Sequence, residues 1–347
     1  MKKLRIAQIA PLWFSIPPEK YGGTERIISF LTEEMVRKGH DVTLFASGDS
    51  KTKANLRALT KEGIISRGIP WTDYWWNIFN HSFGFEKADQ FDIIHCHWHI
   101  MGAFFQKFAK TPVLHTMHNI PLRHDLRWEI YERYRNELNL VFISESERKN
   151  APVKIKNNWV IYNGIDLSNF KFNARPKDHF VWIARVSPAK GTKEAIEIAK
   201  KAGVKLLLAG QIQPQHQPYF DKEIKPQLNS QIQYVGELSE EQLSDFYGPA
   251  KGCIYPINWE EPFGLIMAES MACGTPVIVF DRGSAREVVA NGKTGFVVKN
   301  IDGAVEAIKK IDSIDRRECR KRVEDNFTFK KMADEYEKLY YELTKKK

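Results

Sequence analysis

Two hydrophobic rhythms alternate along the whole chain. The runs LRIAQIA (4–10), DVTLFA (41–46), DIIH (92–95), PVLHTMH (112–118) and LVFIS (140–144) are short and largely apolar, the pattern of strands buried on both faces of a parallel sheet. Between them lie segments with apolar positions three and four apart. TERIISFLTEEMVRKG (24–39) is the clearest such helix, with Gly39 as its stop. One more strand begins the stretch 156–178, which is otherwise polar and turn-rich. After roughly residue 165 the pattern restarts with HFVWIA (179–184), VKLLLAG (204–210), IQYVG (232–236), GCIYP (252–256) and TPVIVF (275–280), joined by the helical stretches TKEAIEIAKKAG, EEQLSDFYG and GLIMAESMACG. FTFKKMADEYEKLYYELTKKK closes the chain as a long amphipathic helix with a lysine tail.

Strand–helix alternation of this kind predicts two doubly wound α/β domains in series, divided near residue 165. The length of 347 residues agrees, being more than one core usually supports. No internal repeat or low-complexity segment interrupts the pattern. Open α/β sheets take ligands at the carboxyl ends of their strands, so a cleft between the domains is the expected site.

Composition narrows the class. Hydrophobic content of 43% and charged content of 27% are those of a globular protein, and no apolar run reaches the roughly 18 residues of a spanning helix. The opening MKKLRIAQIAPLWF begins like a signal peptide, but Arg5 and Gln8 break its apolar run and it lacks a small-residue cleavage site, so it reads as a first strand. Cys96, Cys253, Cys273 and Cys319 are scattered without CxxC spacing, which argues against a disulfide framework or a zinc knuckle and for the cytoplasm. The net charge of +9 suits an anionic ligand, nucleic acid or an acidic membrane surface, though a lysine-rich solvated surface accounts for it more simply. No nucleic-acid-binding motif accompanies it.

Several clusters carry candidate chemistry. Gly22 and Gly23 precede the first helix, where backbone N–H groups and the helix dipole favour an anion and Thr24 is placed to cap; an ordinary strand-to-helix turn has the same look. Arg185 and Lys190, in the loop ARVSPAKG (184–191), offer a planar fork and a mobile point charge suited to a diphosphate. In HCHWH (95–99), His95, His97 and His99 would share one strand face, as a strand end lining the cleft rather than a zinc site. His118 and Asn119 end another strand. The stretch IPWTDYWWNIFNHSFGF (69–85) puts Trp71, Tyr74, Trp75 and Trp76 in a connection, as an acceptor wall, a docking face or domain core. Finally EPFGLIMAES (261–270) holds Glu261 and Glu269. Eight residues of continuous helix would separate them by about 12 Å, more than the roughly 5 Å or 6.5–9.5 Å of glycosidase carboxylate pairs. Two grips on one ligand fit that span better than a hydrolytic couple.

Taken in order, the Gly-Gly turn, DIIHCH, the His118-Asn119 pair, NGID (163–166), ARVSPAKG and the E-x7-E pair resemble retaining glycosyltransferases of family 4 over nearly the whole chain. Glu261-Pro262-Phe263-Gly264 with Glu269, joined to Arg185 and Lys190, is the specific part. The first fifty residues are similar to an antibiotic-tailoring and pterin-glucosyltransferase-like subgroup. The resemblance implies the GT-B architecture: an acceptor-binding Rossmann-like domain (1–165), a nucleotide-sugar-binding one (166–328) and a C-terminal helix (329–347) crossing back to the first domain. It also implies roles. Arg185 and Lys190 would hold the donor diphosphate, with Gly22 and Gly23 bringing backbone N–H to the same charge. Glu261 would lie at the sugar 3-hydroxyl, and Glu269 at the ribose. Phe263, Gly264 and Leu265 would offer backbone N–H groups, His118 would contact the sugar 6-hydroxyl, and Gly236, Glu237 and Leu238 would surround the base. Glu261, His118, Arg185 and Lys190 form the expected catalytic set. The family often has Gly-Arg where this chain has Ala184-Arg185, which implies a less close phosphate approach there.

The expected reaction is metal-independent transfer of a hexose, UDP-glucose being the first donor to test, onto an acceptor hydroxyl, with no cofactor. The two cations would stabilise the departing diphosphate, and no DxD-like motif stands out. Retention would follow a front-face route, with a covalent glycosyl-enzyme as the alternative. The expected partners are a nucleotide-sugar and a hydroxyl-bearing acceptor, not nucleic acid, with peripheral membrane contact left open by the basic surface. A GT-B sugar-nucleotide 2-epimerase and a non-catalytic nucleotide-sugar or nucleic-acid-binding module are the competing readings.

Overall fold

Seven strands form the first sheet: β1 (Arg5–Ile9), β2 (Asp41–Phe45), β3 (Asn55–Arg57), β4 (Ile93–Cys96), β5 (Val113–Met117), β6 (Asn139–Phe142) and β7 (Asn157–Val160), in spatial order β3-β2-β1-β4-β5-β6-β7. Six form the second: β8 (Phe180–Ile183), β9 (Leu206–Ala209), β10 (Ile232–Tyr234), β11 (Gly252–Tyr255), β12 (Val277–Phe280) and β13 (Gly295–Val298), ordered β10-β9-β8-β11-β12-β13. All their pairings are parallel. The computed structural model describes every residue except Met1, Tyr21, His99, Ile120, Lys346 and Lys347. The chain divides into two units, Met1–Gly164 with Phe329–Lys347, and Ile165–Thr328.

Both sheets are Rossmann-like and doubly wound. The chain lays strands outward in one direction from β1, returns, and lays β4 to β7 in the other; β8 and β11 flank the same reversal in the second unit. The reversal opens a crevice at the carboxyl ends of the two central strands. Strands β4, β5, β8, β11 and β12 are buried along their whole length, as a sheet covered on both faces requires; β8 and β12 are also wholly apolar. The periodicity misses β3 and β13. β3 is three residues long and half exposed at the sheet edge, and β13 is a four-residue edge strand behind a turn.

The first helix (Gly23–Arg37) and the C-terminal helix (Phe329–Lys345) pack together in the first unit. The latter buries Met332, Ala333, Tyr336, Leu339, Tyr340 and Leu343, one stripe at helical spacing. Glu337 fixes its register by taking Lys38 Nζ at 2.7 Å and His40 Nε2 at 2.9 Å. The aromatic stretch folds into a helix (Trp75–Phe85) whose polarity is inverted. Asn77 Oδ1 accepts from Leu12 N at 2.8 Å, and Asn80 Nδ2 donates to the carbonyls of Ala10 at 2.9 Å and Phe45 at 3.2 Å. Those amides satisfy the backbone where β1 and β2 end, and Trp75 and Phe79 are turned outward. In the second unit a half-buried guanidinium is the clip. Arg316 donates to the carbonyls of Asn173, Gly248 and Ala250 and to Thr275 Oγ1.

Candidate functional site

In the second unit, the loops leaving β8 and β11 meet. A short turn at Pro188–Lys190 leads to Gly191, the N-cap of the helix Thr192–Ala202, at φ 71°. A Cβ there would stand 1.8 Å from the Pro256 carbonyl oxygen, so only glycine lets this loop close on the end of β11. Asn258 N donates to Ala189 O at 2.8 Å and Trp182 Nε1 to Lys190 O at 3.2 Å, locking the loop.

Lys190 Nζ then lies 2.7 Å from Glu261 Oε2, 3.3 Å from the Tyr255 hydroxyl and 4.4 Å from the centre of the Trp259 ring. The same carboxylate oxygen accepts from Tyr255 Oη at 2.6 Å and Trp259 Nε1 at 2.9 Å. Burial pushes the Glu261 carboxyl up, but the Lys190 charge and these three hydrogen bonds outweigh it and hold the carboxyl below its usual range. Burial lowers the Lys190 ammonium more than Glu261 raises it, with Arg185 adding to the lowering. Arg185 Nη1 donates to Gln213 Oε1 at 3.2 Å.

Glu261 itself precedes the helix. Gly264, at φ 78°, is the N-cap of Leu265–Ala272, with no side-chain cap over its first N–H groups. Ser284 braces the turn by donating N–H to Glu261 O at 2.9 Å and Oγ–H to Phe263 O at 2.7 Å. Only Glu269 sits on the helix, so the premise of continuous helix behind the span of about 12 Å does not hold. Glu269 is buried and takes the Tyr247 hydroxyl at 3.1 Å. Gly236, at φ 88°, ends the turn after β10 with open space at its Cβ position, followed by half-buried Glu237 and Leu238. Close packing at Ala184 comes from its neighbour: a Cβ on Gly210 would lie 1.7 Å from Ala184 O.

In the first unit, Gly22 at φ 147° is the N-cap of the first helix, and no side chain caps it. Thr24 therefore does not cap, because the helix begins one residue before it at Gly23. Glu25, one residue further on, is buried, and burial raises its carboxyl to about 7. His118, just past β5, sits with Nε2 3.1 Å from His97 Nδ1. His97 Nε2 reaches Gln8 Oε1 at 2.6 Å, and His95 bridges Tyr340 and Thr116 at 2.7 Å each. His99 lies outside the described residues. Among the described residues no three His, Cys, Asp or Glu side chains gather as a metal-ligand set, and no helix is long and apolar enough to cross a membrane.

The first aromatics of the stretch lie outside the core. Trp71, Tyr74 and Trp75 are 38%, 45% and 77% exposed. Trp71 packs on Trp13 at 5.0 Å and Phe14 at 5.4 Å, and Tyr74 on Trp98 at 5.3 Å, beside the ends of β1 and β4. Trp76 is half-buried against the Leu12–Trp13–Ile64–Trp98 cluster, and Phe83 and Phe85 pack against a second cluster that includes Ile9, Phe45 and Phe91. Sequence reasoning missed Tyr255, Trp259, Gln213 and Tyr247, the partners that hold the expected residues. Tyr255 closes a strand at its carboxyl end and Trp259 is two residues from Glu261, which is the signal that was there to read.

The comparisons agree with this architecture. Residues 21–169 match the family model "Glycosyltransferase Family 4", and residues 166–327 match "Glycosyl transferases group 1". An uncharacterized glycosyltransferase of Methanocaldococcus jannaschii is 24% identical over 353 residues, covering 88% of each protein. AviGT4, a glycosyltransferase involved in avilamycin A biosynthesis, has the same fold with a TM-score of 0.75 at 21% identity, covering 98% of each chain. Anabaena HepE, in complex with UDP and glucose, superposes at 0.75 and 18% identity, covering 97% of this chain and 99% of that one. The first half of the chain is thus family 4-like and the second group 1-like, on a GT-B fold.

Proposed function

We propose that the chain is a retaining, metal-independent hexosyltransferase that moves a sugar from a nucleoside diphosphate, UDP-glucose being the first to test, onto an acceptor hydroxyl. The observation that carries the reading is the meeting of Arg185, Lys190, Glu261 and the uncapped start of Leu265–Ala272 at the carboxyl ends of β8 and β11. The UDP-bound state of the similarly folded HepE supports the choice of donor.

On this reading the resting ion pair is a stored cation. When the diphosphate arrives, Lys190 turns from Glu261 toward the phosphate oxygens, and Arg185 and the N–H groups of Phe263, Gly264 and Leu265 join it. Charge develops on the leaving phosphate as the anomeric C–O bond breaks, and these preorganised donors stabilise it there. Glu261, released on one side but still held by Tyr255 and Trp259, accepts from the sugar 3-hydroxyl. Glu269 takes the ribose hydroxyls, and Gly236 to Leu238 flank the base. The acceptor attacks from the face the phosphate leaves, its proton passing to the departing oxygen. The exposed Trp71–Tyr74–Trp75 wall of the first unit seats an acceptor with a flat, apolar face.

A thermal-shift panel of nucleotide-sugars, run with and without chelator, tests the donor. Ligand at 100 times Kd stabilises by about 2.7 kcal/mol, roughly 2–4 °C. A flat panel sinks the assignment. Epimerised sugar nucleotide formed without acceptor would replace transfer by epimerisation, and a rate abolished by chelator would remove metal independence.

A further inference from the structure

We propose that Gln8 and Tyr340 are positioning residues which, through His97, fix the His118 ring as its Nε2–H tautomer and set the ring plane. The proposal rests on the role that the family resemblance implies for His118, contact with a sugar hydroxyl.

The order of donors follows from the chemistry of each group. A carboxamide oxygen only accepts, and Gln8 Oε1 lies 2.6 Å from His97 Nε2, so that nitrogen carries the proton. Nδ1 of the neutral His97 ring is then a lone pair, and it accepts Nε2–H of His118 at 3.1 Å. The Gln8 amide is held in this sense because its Nε2 donates to Tyr340 Oη at 3.0 Å. Tyr340 has one proton, which goes to His95 Nδ1 at 2.7 Å. His95 Nε2–H donates to Thr116 Oγ1 at 2.7 Å, and the Thr116 hydroxyl donates to Tyr336 Oη at 2.9 Å. Every link runs in one direction, from the end of β5 through β4 and β1 to the C-terminal helix.

The surroundings keep the chain ordered. Gln8, His95, Thr116, Tyr336 and Tyr340 are all buried, so a broken link has no water to replace it. Burial holds the rings of His95 and His97 well below the usual histidine range, which keeps both neutral. The His97 and His118 rings stack with centres 5.4 Å apart at 26°, so the plane of one sets the plane of the other. Turning over the Gln8 amide would reverse every link together and strip the proton from His118 Nε2. One amide on β1 therefore selects which His118 nitrogen donates and which accepts.

Long-range 1H–15N correlation of the labelled, full-length protein reads the tautomers directly, each ring assigned by the signal lost on its own substitution. His95, His97 and His118 are expected as Nε2–H. Tyr340→Phe, which keeps the ring and removes the hydroxyl, is expected to give mixed tautomers at His97 and His118; Gln8→Leu cuts the chain one link nearer and serves if the first variant fails to fold. In turnover, Tyr340→Phe is expected to lower kcat about tenfold, the scale of one lost buried hydrogen bond, and to add nothing in a His118→Ala background. Nδ1–H rings in the wild type, unchanged tautomers in both variants, or an equal kinetic cost in both backgrounds would overturn the proposal. If the wild type turns over no nucleotide-sugar, the transferase reading falls and the tautomers alone decide the positioning chain.

Discussion

Lys190 Nζ and Glu261 Oε2 stand 2.7 Å apart, with side chains only 12% and 8% exposed. Removing either partner strands the other's charge where water does not reach it. Lys190→Met is expected to cost about 3–5 kcal/mol of stability, read by urea unfolding, and to abolish donor turnover. The pair also leaves a pH signature. The Glu261 carboxyl is held below its ordinary 4.5 in the folded state, so its contribution is present above that value and lost as pH falls through the lower folded one. An acid limb identical in wild type and Lys190→Met would contradict this account of the pair.

The first unit should be acid-sensitive at a higher pH. Burial lowers His81 to about 4 and His115 to about 3. Below the ordinary 6.5 the unfolded chain takes up protons that these rings refuse, so stability falls as pH drops. For His81 alone the loss reaches about 3 kcal/mol by pH 4. Glu25, raised to about 7, works in the opposite sense, losing stability as pH rises from 4.5 toward 7. The informative quantity is therefore a difference: His81→Asn should show a shallower decline in Tm from pH 6.5 to 4 than the wild type. Parallel curves would remove His81 from the explanation.

Two glycines with similar φ should respond differently to alanine. At Gly236 the added Cβ meets nothing, so Gly236→Ala costs only the left-handed backbone, about 1–2 kcal/mol. At Gly191 the methyl would strike the Pro256 carbonyl and lift the Lys190 loop off β11. Gly191→Ala should lose more stability than Gly236→Ala and nearly all turnover. Equal effects by calorimetry would mean the contact with Pro256 is not what requires glycine.

Tyr247→Phe removes the hydroxyl that Glu269 accepts at 3.1 Å. Glu269 then loses its aim, and nucleotide Kd by calorimetric titration should rise about tenfold, the scale of a hydrogen bond to a charged group. Affinity for free glucose should be unaffected if Glu269 serves the nucleoside end, as proposed. A weakened glucose site with unchanged nucleotide affinity would reverse the proposed assignment of the two glutamates.

Much of this architecture could be read from periodicity because parallel strands buried on both faces leave long apolar runs, as β5 and β12 do. The edge strands β3 and β13 left no such trace, since one side of each has no neighbour to bury it. The helix Trp75–Phe85 defeated pattern reading for a different reason. Its asparagines face inward to satisfy strand ends while Trp75 and Phe79 face outward, the reverse of what hydrophobicity alone assigns. Within the site, charged residues were legible and their holders were not. Lys190 and Glu261 announce themselves by charge in apolar surroundings, whereas Tyr255, Trp259 and Tyr247 look like ordinary core until their hydroxyl and indole hydrogens are traced. Tyr340 lies 245 residues from His95, beyond the reach of any local pattern.

The return of the C-terminal helix to the first unit has a consequence for biogenesis. Ile165–Thr328 is one uninterrupted stretch of chain and can complete its sheet as soon as it emerges from the ribosome. The first unit cannot, although most of it is translated earlier. Until Tyr336 and Tyr340 appear, Gln8, His95 and Thr116 wait with half their polar partners missing. The segment made first is thus finished last, and a chain truncated after residue 328 should show a native second unit and a first unit that proteases can still cut.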